Sequence, residues 1–328
     1  MRWEGGGAPP PPITHPTLTP RSPPGAYLYG DLVDFLYTGL PRSAITLNRT
    51  IDDLGPDPSR PTVDGVTYDL AIVADGGWSS LRTKYFGPDV PEFAGWQAWR
   101  FRVSAEHVPG GMEAEGGYEN GVYGVMCLNV ACNDGTDLIA GGVSIPADES
   151  EVVVPAKGTN RQTGVAEPSP AAPVPDILPL LRKEFRTAAG GKLVEIFEAA
   201  ARHGKITPNP QYEFAAREVV KGRLVLVGDA AHMAVPRTAS GAHTAGLDGH
   251  ALLECFAPLV LKAGGGGGGG AGGWDAVVAS GLAAYGPPAV ARALALYERS
   301  IEVSKPVTRP GWVRGPRGGV RTTGRAEL

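Results

Sequence analysis

Two short stretches of this sequence join an acid, glycines and the start of a helix in a way that suits ligand chemistry. The first is Asp75-Gly76-Gly77-Trp78-Ser79-Ser80-Leu81-Arg82, directly after the apolar run of residues 69–74. A carboxylate and a glycine at the carboxyl end of a buried parallel strand stand where open α/β sheets bind ligands. Gly76 lets the backbone turn sharply or approach a ligand. Ser79 suits the N-cap of a helix whose free N–H groups attract anions such as a pyrophosphate. Arg82 can add a charge-assisted contact to a phosphate. An Asp-Gly turn before a Ser-capped helix also serves purely structural ends in many folds, so this stretch alone leaves both readings open.

The second stretch is Gly222-Arg223-Leu224-Val225-Leu226-Val227-Gly228-Asp229-Ala230-Ala231-His232, continuing to Pro236, Gly241, Ala242 and Asp248. A buried strand over residues 223–227 delivers Gly228 and Asp229 to the sheet edge. An acid there accepts hydrogen bonds from ribose or ribityl hydroxyls. Residues 235–242 lead into a long helix, whose positive dipole end favours developing negative charge. Packing of small residues accounts for the alanines but not for Gly-Asp-Ala-Ala-His as a set.

Other chemistry-bearing residues point less far. His232, His243 and His250 lack a completing carboxylate pair, and Cys127 and Cys132 have no second pair, so no metal site is expected. No Gly-x-Ser-x-Gly elbow is present, which disfavours an α/β-hydrolase. Trp96 and Trp99, three apart, are expected on opposite faces of one strand, in core packing rather than in a substrate pocket. The sequence singles out no catalytic base.

These residues need elements to position them. Apolar spacing predicts a helix over residues 27–40, strands over 44–47 and 63–67, and a strand buried on both faces over 69–74. A short helix follows at 79–85. Residues 95–145 read as mainly β, with strands at 95–103 and 121–130. Residues 146–175 are expected to form a mobile loop, followed by helices at 176–186 and 192–202 and strands at 212–220 and 223–227. The remaining helices are expected at 241–261, 274–285 and 287–304, with the glycine run 264–270 as a flexible linker. The order predicts an α/β fold, α+β in part, in which a β-rich segment interrupts an α/β domain. Residues 1–25 and 306–328 are expected to be disordered tails.

The bulk numbers exclude some partners. The 328 residues carry a net charge of −4, three cysteines and no apolar run long enough for a membrane span. Nucleic acid is therefore not an expected partner, and a cytoplasmic protein is the natural expectation, with the oligomeric state left open.

The two stretches resemble the DG and GD motifs of the group A FAD-dependent aromatic-ring monooxygenases, which share the p-hydroxybenzoate hydroxylase fold. Phe93-Ala94-Gly95-Trp96-Gln97-Ala98-Trp99-Arg100 and Pro236-Arg237-Thr238-Ala239-Ser240-Gly241 are similar to strings of the 2,6-dihydroxypyridine hydroxylase-like branch. The resemblance runs, with gaps, from about residue 27 to about residue 304. It implies FAD as cofactor, NAD(P)H as co-substrate and a small aromatic substrate. It places Asp75, Gly76 and Arg82 near the FAD pyrophosphate or the NAD(P)H path. Gly228 and Asp229 fall at the ribityl or ribose hydroxyls, and Pro236, Gly241 and Ala242 at the isoalloxazine ring. By the same transfer, residues 26–90 and 215–305 form the FAD-binding domain, with a linker at 262–273, and residues 91–214 form a substrate domain. Family members open with a strand, a Gly-x-Gly-x-x-Gly turn and a helix. No such unit stands ahead of residue 27, so the chain is expected to be truncated and, alone, to hold FAD weakly or not at all. The competing expectation is a non-enzymatic binding or interaction module.

Overall fold

The computed structural model describes residues 29–111, 116–119, 124–132, 135–150, 152, 177–184, 188–264 and 271–308. In chain order the elements are α1 (Tyr29–Thr38), β1 (Thr62–Val63), β2 (Val66–Thr67), β3 (Ala71–Val73), α2 (Ser80–Phe86) and β4 (Glu92–Ser104). Then come β5 (Gly116–Glu119), β6 (Gly124–Ala131), β7 (Asp137–Pro146), α3 (Leu178–Glu184), α4 (Ala188–His203) and β8 (Lys205–Ala215). The chain continues with β9 (Val220–Lys221), β10 (Leu224–Leu226), β11 (His232–Met233), α5 (Gly241–Gly264) and α6 (Ala271–Ser304).

Two compact units emerge, and β4 and β8 contribute residues to both. The first gathers Met1–Arg49, Ala98–Ile145 and Pro170–Asn209. Its sheet runs in the order β8-β4-β7-β6-β5, with β5, β6 and β7 antiparallel. On α4, Leu193, Ile196, Phe197 and Ala200 recur at helical spacing and present one apolar face. That face is buried with Trp99, Phe101 and Val103 of β4 and Ile139 and Val143 of β7. Phe197 meets Phe101 at 4.5 Å between ring centroids. A Cβ on Gly204 would lie 2.2 Å from the Arg102 carbonyl, so only glycine lets the chain pass β4 at the end of α4.

The second unit gathers Thr50–Gln97, Pro146–Ser169 and Pro210–Leu328, and it holds both acidic stretches. β10 lies between β3, to which it is parallel, and β9, to which it is antiparallel. Leu224, Val225 and Leu226 are fully buried, packed with Leu81 of α2, Leu252 of α5, and Val278, Leu282 and Tyr285 of α6. In this unit β11 pairs antiparallel with β8, with His232 opposite Ala215.

Several expectations need correction. Residues 44–47 form no strand: Arg42–Ala44 is a 3-10 turn set up by Pro41, whose carbonyl accepts the Ala44 N–H at 2.9 Å. β3 is not buried on both faces, since Ile72 is 54% exposed; among the described residues it pairs with β10 alone. The strand expected at 212–220 ends at Ala215 and starts at Lys205, running through Pro208 and Pro210. Prolines two apart direct their nitrogens to the same edge, and the two-residue β11 pairs only Phe214 and Ala215, so no ladder bond is lost there. The helices expected at 274–285 and 287–304 are one, α6, which passes through Pro287 and Pro288. Tyr285 and Ala289, either side of the prolines, are both packed into the core around β10, and that burial outweighs the broken ladder. The expected tails, most of the 146–175 loop and residues 265–270 of the linker lie outside the described residues.

Candidate functional site

The register of β3 and β10, with Val73 beside Leu226, sends both acidic stretches out of the same end of the sheet. Val227 extends the ladder by donating its N–H to the Val73 carbonyl at 3.1 Å. Asp75 and Asp229 follow within two or three residues, and both are exposed.

At the first turn, Gly76 has φ +89° and its missing Cβ would meet open space. Ser79 donates its N–H to the Gly76 carbonyl at 3.0 Å, and its hydroxyl accepts the Arg82 N–H at 2.8 Å as the N-cap of α2. Arg82 is only 2% exposed. Its Nη2 donates to the Gly77 carbonyl at 2.7 Å and its Nη1 to the Ala230 carbonyl at 3.0 Å, and the guanidinium lies 4.1 Å from the centre of the Phe214 ring. The residue expected at a phosphate is thus a clamp between the two turns.

At the second turn, Gly228 has φ +56° and opens a 3-10 turn, Gly228–Ala230. Its N–H donates to Oδ2 of Asp248 at 3.0 Å. The same oxygen lies 2.7 Å from Nε2 of His232, and both side chains are 1% exposed. Arg292 of α6 donates to Oδ1 of Asp248 through Nε at 3.2 Å and Nη2 at 2.9 Å. Desolvation alone would raise the Asp248 pKa; the bonds from His232, Gly228 and Arg292 outweigh it and hold the carboxyl below its ordinary value. The Asp229 carboxyl goes the other way: desolvation raises its pKa, against a lowering pull from His232.

Beyond β11, Pro236 opens a 3-10 turn that ends with Ala239 in the left-handed region at φ +50°. The turn is pinned: Val235 N–H donates to the Ser300 hydroxyl at 3.0 Å, and the Thr238 hydroxyl donates to the Val235 carbonyl at 3.0 Å. α5 starts at Gly241, where an added Cβ would meet nothing within 4 Å, and Ala242 is exposed. The first N–H groups of this helix have no partner within it. Acids exposed at this end of the sheet can accept hydrogen bonds from ligand hydroxyls, and a helix start can face an anion.

Comparison with known proteins identifies a family. Residues 103–266, half of the chain, match the FAD binding domain family. This chain belongs to that family. No curated protein sequence matches the chain. Among solved structures of this fold, 2,6-dihydroxypyridine-3-hydroxylase from Arthrobacter nicotinovorans matches with a TM-score of 0.60 and 16% identity, over 89% of this chain and 72% of that one. A salicylate hydroxylase in a substrate complex gives 0.56 and 21%, over 84% and 65%. CtdE in complex with FAD and a substrate gives 0.56 and 18%, over 86% and 69%. The expected α/β fold is therefore the fold of this FAD-binding family, whose cofactor is FAD. Among the described residues no helix is long and apolar enough to cross a membrane, and no His, Cys, Asp or Glu cluster could hold a metal.

Sequence reasoning placed the two turns but missed what holds them. Asp248 was visible within the second motif; its partner Arg292 lies 44 residues further on, with no local pattern to mark it. The carbonyl-binding role of Arg82 depends on Ala230, 148 residues away.

Proposed function

We propose that this chain is an FAD-dependent monooxygenase that hydroxylates an aromatic or heteroaromatic ring with NAD(P)H and O2. The observation that carries the reading is the parallel pairing of β3 and β10, which presents Asp75 and Asp229 at one sheet edge beside the start of α5. When bound, FAD supplies the redox chemistry, accepting a hydride from NAD(P)H and activating O2 for transfer to the ring.

The chain's own residues bind and orient. Asp229 accepts hydrogen bonds from the ribityl or ribose hydroxyls, and Gly228 keeps the backbone close beside it. Pro236, Gly241 and Ala242 border the ring system, with the first N–H groups of α5 facing negative charge. Asp75 and Gly76 serve the pyrophosphate or NAD(P)H side, and Arg82 fixes their turn from beneath. Residues 26–90 and 215–305 act as the FAD-binding domain, joined through 262–273, and residues 91–214 as the substrate domain. The relatives' names, a hydroxypyridine hydroxylase and a salicylate hydroxylase, support a small electron-rich ring as substrate.

The test is a titration of FAD fluorescence with the purified chain, followed by an NADH and NADPH oxidation assay with hydroxypyridine and salicylate. Saturable quenching of low affinity is expected, with substrate-stimulated oxidation once FAD is in excess. FAD fluorescence that does not respond to the protein overturns the reading and favours a non-enzymatic binding module.

A further inference from the structure

The second turn contains a device that the motif itself does not reveal. Gly228 follows β10 and stands in the left-handed region, and its buried N–H needs an acceptor. The acceptor is Oδ2 of Asp248, twenty residues further on, and this oxygen is shared with His232 Nε2. Gly228 and His232 flank Asp229, one residue before it and three after, so a single buried oxygen grips the chain on both sides of the exposed acid. Arg292 holds the other oxygen with two bonds and fixes the rotation of the carboxylate. Asp229 is exposed as a residue although its carboxyl is partly desolvated near His232, and its backbone sets the direction of the side chain.

We propose that Asp248 is a positioning residue that aims the Asp229 carboxylate at a hydroxyl-bearing ligand, a role that rests on the FAD-binding reading above. The carboxylate is too deeply buried to touch a ligand. It acts by closing the 3-10 turn Gly228–Ala230 from beneath, with α5 and α6 supplying the rigid support. Preorganisation of this kind appears as affinity, because a turn already in the bound geometry loses less freedom on binding.

The experiment uses the full chain and two readouts. Amide hydrogen exchange of the Gly228–Ala230 turn is measured in the wild type and in Asp248→Asn, and FAD affinity is measured by fluorescence in Asp248→Asn, Asp229→Asn and the double variant. Exchange is expected to speed up at this turn while β10 and α6 keep their protection. Each single substitution is expected to weaken FAD by about tenfold, and the double variant by about tenfold as well, not about a hundredfold, since one residue acts through the other. Should Asp248→Asn fail to fold, His232→Gln removes one grip and enters the same cycle. Unchanged exchange at the turn, or affinity losses that multiply, overturns the positioning role. Failure of the wild type to bind FAD overturns the flavin reading instead, and the exchange data alone then decide whether Asp248 holds the turn.

Discussion

At residues 75–82 the buried charge is a cation whose N–H groups take carbonyl oxygens; at residues 228–248 it is an anion that takes N–H groups. Arg82 serves Gly77 and Ala230, while Asp248 serves Gly228 and His232. The sign follows from what each turn leaves unsatisfied. In the first, Ser79 caps the N–H groups of α2 and the carbonyls are left over. In the second, the N–H of Gly228 is the group that needs a buried partner. Either way the charge that holds the turn is buried and the acid that meets solvent is free for a ligand. The two turns are not independent, since Arg82 reaches across to the second.

The comparison can be broken by substitution, and the largest effect is expected at Asp248. Asp248→Ala strands Arg292, His232 and the Gly228 N–H together and is expected to cost about 3–5 kcal/mol in a denaturant titration. Arg82→Met orphans two buried carbonyls and should cost about 3 kcal/mol in the same assay. A smaller loss for Asp248→Ala than for Arg82→Met would reverse the ranking of the two anchors.

Acid titration separates the anchors further. The Asp248 pKa is depressed in the folded chain, so its contribution is present above the ordinary carboxylate range and lost as pH falls through the folded pKa. Stability below about pH 4 should therefore fall less steeply in Asp248→Asn than in the wild type, while Arg82→Met should keep the wild-type slope. Gly76→Ala and Gly228→Ala each force a side chain into positive φ and should cost about 1 kcal/mol. The smallest stability effect belongs to Asp229→Asn. The folded pKa of Asp229 is raised, so its charge opposes folding as pH rises through that value, and removing it should leave Tm unchanged or slightly higher.

Much of this was legible in sequence, for reasons that differ by residue. The helix cap at Ser79, the buried Leu224–Leu226 strand and the start of α5 at Gly241 are local events, set by a few neighbouring side chains. Exposure of Ile72 was not legible, because an apolar run does not say whether a second layer covers each face of the strand. The proline-bearing half of β8 and the unbroken α6 were hidden for a related reason: proline's local penalty was overruled by an edge position in one case and by core packing in the other. The anchors were least legible. Arg82 and Asp248 carry the charge expected of ligand contacts, and only the fold shows their partners to be backbone and buried side chains.

The central claim is that the Asp229 turn binds FAD, and the most direct test is a fluorescence titration of FAD with the wild-type chain and Asp229→Asn side by side. The account predicts saturable quenching by the wild type, about tenfold weaker in the variant at unchanged Tm. Equal affinity in the two proteins, or no quenching by either, would contradict it.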